Sequence, residues 1–110
     1  MKYYILDERV PVGVPDPLEW AKFFEEADRR RVAVTELPGA VRVSTVFLGL
    51  DHNWSLEGPP ILFETMIFGG PHDEYQERYA TWGEAEAGHA RAVSLASDPA
   101  LKPTTPKGTP

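Results

Sequence analysis

Between Ser44 and Gly70 the chain reads STVFLGLDHNWSLEGPPILFETMIFGG, two apolar runs rich in β-branched and aromatic residues around a short polar loop. Runs of this kind bounded by Gly and Pro are expected to form paired strands. Both are apolar on both faces. In the first, Val41, Val43, Thr45 and Phe47 are expected to point one way and Val46, Leu48 and Leu50 the other. In the second, Ile61, Phe63 and Ile67 oppose Leu62, Met66 and Phe68. A sheet that is apolar on both sides needs both sides covered. Helices are available for one side. For the other, the expectation is a second copy of the chain, and so a homodimer.

The remaining elements follow from local signals. Residues 2–6 (KYYIL) read as a short strand, and Val10 to Pro17 carries too many prolines to lie inside a helix. Asp16-Pro17-Leu18-Glu19 has the makings of a helix start, with Asp at the N-cap, Pro at N1 and Glu at N3. Trp20, Phe23, Phe24 and Ala27 then recur at helical spacing, and the helix is expected to reach about Arg30. Val32 to Leu37 reads as a strand turned by Pro38-Gly39 into the Val41 run, whereas His72 to Arg78 reads as a polar link. Thr81-Trp82-Gly83-Glu84 is a second capping box, opening a helix to about Ala96. The order β-α-β-β-β-α implies an α+β fold: an antiparallel sheet of three or four strands with two helices on one face. Residues 1–97 are expected to form a single domain. The tail, residues 98–110, holds four of the chain's 11 prolines and is expected to be disordered.

Composition narrows the function. The 110 residues carry 17 Asp and Glu against 11 Lys and Arg, a net charge of −6, which excludes the basic footprint of a duplex nucleic-acid binder. There is no cysteine, so disulfides and thiolate metal sites are ruled out. No apolar run approaches the roughly 18 residues of a membrane span, and Asp7 follows Met1 too closely for a signal peptide, so the expected location is the cytoplasm. No phosphate-binding glycine loop, dinucleotide fingerprint or nucleophile elbow is present, and no cofactor is expected.

Four residues have the chemistry of a site. Asp51 and His52 leave the first strand together and suit metal ligation or base work, although Asp51 and Asn53 equally suit a turn. Glu64 stands mid-strand among apolar neighbours, where it serves as a general acid or base or as half of an ion pair with Arg42 or another basic residue. His89 falls within the inward stripe of the second helix, just after the helix-weakening Gly88. It is either a core histidine with satisfied nitrogens or part of a site. Were the helix to lie over the hairpin near Glu64, then Asp51, His52, Glu64 and His89 would form a carboxylate–imidazole group suited to Zn²⁺, Mn²⁺ or Fe²⁺. Trp54 is the better exposed anchor and Trp20 the better core residue; Arg42, Arg78 and Arg91 are the cations available for a phosphate-bearing ligand.

The succession Leu-Asp-His, Pro-Pro, Leu-Phe-Glu-Thr-Met, Phe-Gly-Gly and Arg-Tyr-x-Thr-Trp-x-Glu-Ala-x-x-Gly-His resembles a group of small proteins encoded by tailed phages and prophages. Asp51, His52, Phe63, Glu64, Thr65, Gly69, Gly70, Arg78, Tyr79, Thr81, Trp82, Glu84, Gly88 and His89 carry the resemblance, which spans roughly residues 3–95. It implies a phage setting and no particular reaction. Three functional expectations follow. The first is a non-enzymatic binding module acting in the host cytoplasm, for host takeover or against host defence, on a host protein or on a small ligand such as a signalling nucleotide. Its site would draw on Asp51, His52, Trp54, Glu64, Arg78 and His89. The second is a small metal-dependent hydrolase or nuclease using Asp51, His52, Glu64 and His89. The third is a virion or packaging accessory protein.

Overall fold

The computed structural model describes residues 3–55 and 57–98; the expected tail lies, apart from Asp98, outside them. In chain order the elements are β1 (Tyr3–Asp7), β2 (Val10–Val14), α1 (Pro17–Phe24), α2 (Ala27–Arg30), β3 (Arg31–Leu37), β4 (Val41–Phe47), β5 (Phe63–Phe68), β6 (Gln76–Tyr79) and α3 (Trp82–Ser97). The fold is α+β and antiparallel throughout, as the sequence implies. It holds two sheets, a β1-β2 hairpin and a four-stranded sheet in the order β3-β4-β5-β6.

Three elements depart from expectation. The proline-bearing segment Val10–Val14 pairs with β1 as an edge strand, which tolerates Pro11 because only one side of the strand needs donors. The stretch read as a polar link contains β6, paired along the far side of β5. The first helix breaks at Glu26, whose backbone leaves the helical region (φ −90°, ψ 85°). There the Arg30 guanidinium stacks over the Phe24 ring at 3.9 Å and its Nε donates to the Phe24 carbonyl, capping α1 as the chain turns toward β3.

One face of the large sheet carries the core. Phe47, Phe63 and Tyr79 pack with Leu6 of β1, Phe23 of α1 and Ala85 of α3, while Val41, Val43 and Ile67 pack with Ala92 and Leu95 further along α3. Both long helices therefore lie on the same face. Leu62, just before β5, is buried beside Phe63, so strict alternation fails at the strand entry and holds only within it. The capping box of α3 is present: Thr81 accepts from the Glu84 N–H, and Glu84 accepts from that of Thr81.

Two glycines are demanded by close approach. Gly49 is left-handed (φ 79°), and its carbonyl accepts from both the Tyr4 N–H (2.9 Å) and the Trp20 indole (3.1 Å), fastening β1 and α1 to the end of β4. Gly88 lies against Tyr79, whose hydroxyl and ring occupy the space a Cβ would need. In an exposed helix Gly→Ala gains about 1 kcal/mol. Here Gly88→Ala is expected to destabilise instead, by about 2 kcal/mol or more through overpacking. Denaturant titration reads the sign, which separates a packing glycine from a merely tolerated one.

Candidate functional site

Strand alternation decides which candidates meet. Thr45 and Thr65 are register partners on β4 and β5, both fully buried beneath α3. His89 descends onto them. Its Nδ1 lies 2.7 Å from the Thr45 hydroxyl, which lies 2.5 Å from that of Thr65, and its Nε2 lies 2.9 Å from the Thr35 hydroxyl on β3. The Thr65 hydroxyl also acts on the Tyr79 phenol, opposing the upward push of burial. Tyr79 donates to Glu77 Oε1 at 2.9 Å, and Arg91 of α3 donates to the same oxygen at 3.0 Å. Thr35, His89, Thr45 and Thr65 thus form one hydrogen-bonded run across three strands, and Tyr79, Glu77 and Arg91 form a second beside it, the two making up a relay whose junction is Thr65 and Tyr79.

Counting protons gives the relay a direction. The Glu77 carboxylate only accepts, so the Tyr79 proton points to it. Thr65 lowers the phenol, as a hydroxyl turned toward its oxygen does, and in that order Thr45 donates to Thr65. The Thr45 oxygen is left to accept from His89, which must carry its proton on Nδ1. Nε2 accepts from Thr35. Both ring nitrogens are satisfied, so His89 is a core histidine held by threonines, one of the two readings open from sequence. Burial holds its imidazole below the ordinary value. Burial likewise raises the Tyr79 phenol, with Glu77 adding to the shift against the opposing bond from Thr65. The hydrogen bond that Arg91 donates to Glu77 raises Arg91.

Glu64 lies on the opposite face. It is the register partner of Val46 and Arg78, accepts from Arg78 Nε at 2.9 Å and is hydrogen-bonded to Gln76. The sheet therefore separates Glu64 from His89, and the expected convergence does not occur. The cross-strand ion pair weighed for Glu64 is present, with Arg78 as partner. Among the described residues no group of three or more His, Asp or Glu side chains is placed to hold a metal ion.

Asp51, His52 and Trp54 share the loop between β4 and β5. Asp51 Oδ1 accepts from the N–H groups of Asn53 (2.8 Å) and Ile61 (2.9 Å), clasping the two ends of the loop. The Asn53 amide donates to the carbonyls of Glu57 and Pro59 and accepts from the Ser55 N–H. His52 Nδ1 lies 2.8 Å from the Leu50 carbonyl, and its ring meets Trp54 edge-on at 6.1 Å. Asp51 and Asn53 thus build the loop. Trp54 is presented by it, with 78% of its surface exposed.

The sequence reading missed Thr35 and Thr45 as partners of His89, and Thr65, Tyr79 and Glu77 beyond them. The available signal was the inward placement of threonine on strands otherwise filled by Val, Ile and Phe. Comparison with protein-family models, curated proteins and solved structures finds no match to this chain.

Because the folded state disfavours protonated His89, the unfolded chain binds that proton more readily, and stability rises with pH. The contribution is complete above 6.5 and drains as pH falls through the lower folded value. The gap in melting temperature between the wild type and His89→Gln is therefore expected to narrow as pH is lowered from about 8 to about 5. A constant gap would show that His89 is not held neutral by the fold.

Proposed function

We propose that this chain is a non-enzymatic binding module that engages a protein of the host cell through the loop carrying Trp54. The observation behind this reading is the exposure of a large aromatic side chain on a backbone already fixed by internal hydrogen bonds. An anchor of this kind pays little ordering entropy on binding, and tryptophan is among the residues that most often dominate an interface. The resemblance to small phage and prophage proteins supports a host partner and a host-takeover or anti-defence setting.

A protein is favoured over a signalling nucleotide by the state of the arginines. Arg42 is paired with Glu36 at 2.8 Å, Arg78 with Glu64 at 2.9 Å and Arg91 with Glu77 at 3.0 Å. A phosphate-bearing ligand would have to displace these carboxylates one by one. A metal-dependent hydrolase draws no support from residues that the sheet holds apart.

Capture from host lysate with wild type and Trp54→Ala as paired baits tests the proposal. Trp54→Ala is expected to keep the wild-type melting temperature and to lose the captured protein. Asp51→Ala, which leaves two backbone N–H groups without their acceptor, is expected to cost about 1–2 kcal/mol of stability as well. Equal capture by wild type and Trp54→Ala would overturn this reading. So would a melting shift with a nucleotide that Arg78→Ala abolishes.

A further inference from the structure

The face of the large sheet away from α3 has an ordered charge layout. Strand register arranges it in three rows across the strands. The central row is uncharged: Val34, Ser44, Met66 and Gln76 on β3, β4, β5 and β6. On one side of it lie Glu36, Arg42 and Phe68; on the other lie Arg31, Val46, Glu64 and Arg78. Val34 and Phe68 are 40% and 46% exposed, and neither hydrophobic cluster among the described residues takes in Val34, Val46, Met66 or Phe68. An uncharged centre within a charged rim is the usual anatomy of a protein interface.

Each outer row carries both signs, and along β3 the sign reverses from one row to the other. β3 carries Glu36 above the centre and Arg31 below it; Arg42 above on β4 is answered by Glu64 below on β5. We propose that this face binds a second copy of the chain, the two sheets packing face to face about a two-fold axis along the central row. Rotation about that axis keeps each strand over its own copy and exchanges the outer rows. Glu36 then faces Arg31 of the second copy, and Arg42 meets Val46 beside Glu64. Phe68 covers the Glu64–Arg78 pair, and Val34 and Met66 meet their own copies at the centre. A partner of uniform charge has no such match, because the face carries both signs. With only three rows over four strands the contact is small, so a weak, concentration-dependent dimer is expected. This inference is independent of the Trp54 reading.

Sedimentation equilibrium over a concentration series tests it. The wild type is expected to self-associate reversibly. Glu36→Arg and Arg31→Glu each place like charges across the interface and are expected to weaken self-association about tenfold or more. Both sites are exposed, their own ion pairs contribute little to folding, and unchanged melting curves confirm intact folds. Mixing the two variants restores opposite charges at both contacts, so a heterodimer of one copy each is expected. A wild type that stays monomeric at every concentration overturns the proposal. So does association indifferent to the reversals, or a mixture that fails to pair.

Discussion

The hydrogen-bond relay under α3 is the constraint to which the rest of the architecture conforms. A helix laid across a four-stranded sheet normally docks through apolar side chains alone. Here the middle of the contact is polar: His89 from the helix, three threonines from three strands, then Tyr79, Glu77 and Arg91. A buried polar group left without a partner costs about 1–3 kcal/mol, so such a layer is tolerated only when each member is satisfied. That requirement fixes where α3 sits along the strands. A shift of one turn would strand the imidazole and the hydroxyls together. It also accounts for Gly88, which lets the helix backbone come down onto the Tyr79 ring.

The same layer divides the sheet by function. Odd-numbered positions of β4 and β5 are spent on the core and the relay. Even-numbered ones face the other way, with Glu64–Arg78 and Glu36–Arg42 as ion pairs on that side. In a chain of net charge −6, Arg29, Arg31, Arg42, Arg78 and Arg91 are each matched to a carboxylate and are not gathered into a basic patch. The surfaces proposed for partners are accordingly Trp54 on its braced loop and the open face with its uncharged central row.

Much of this fold is legible in the residues. The caps at Asp16 and Thr81, the Gly-Pro punctuation and the apolar runs place both long helices and the three central strands. The departures have local causes. β6 is hidden because its inward residue Glu77 is charged, and its partner Arg91 lies a helix away in sequence. β2 is hidden by Pro11 and by its role as an edge. The candidate site was half visible: Gly88-His89 correctly marked an inward polar position, and Asp51-Asn53 a built turn. Whether Glu64 could meet His89 depended on which face α3 would cover. With both faces apolar, nothing in the run Phe63–Phe68 decides that. Thr45 and Thr65 decide it, but only once the register that sets them opposite each other is known.

The proton order of the relay governs how α3 is held, and the His89 tautomer reports it most directly. A long-range ¹H–¹⁵N spectrum of the imidazole at a pH above its titration distinguishes the two ring nitrogens. The relay predicts a protonated Nδ1 and a bare, pyridine-like Nε2, because every donor points toward the Glu77 carboxylate. A proton on Nε2 would mean that Thr45 donates to the ring and that the chain of hydroxyls does not run to Glu77.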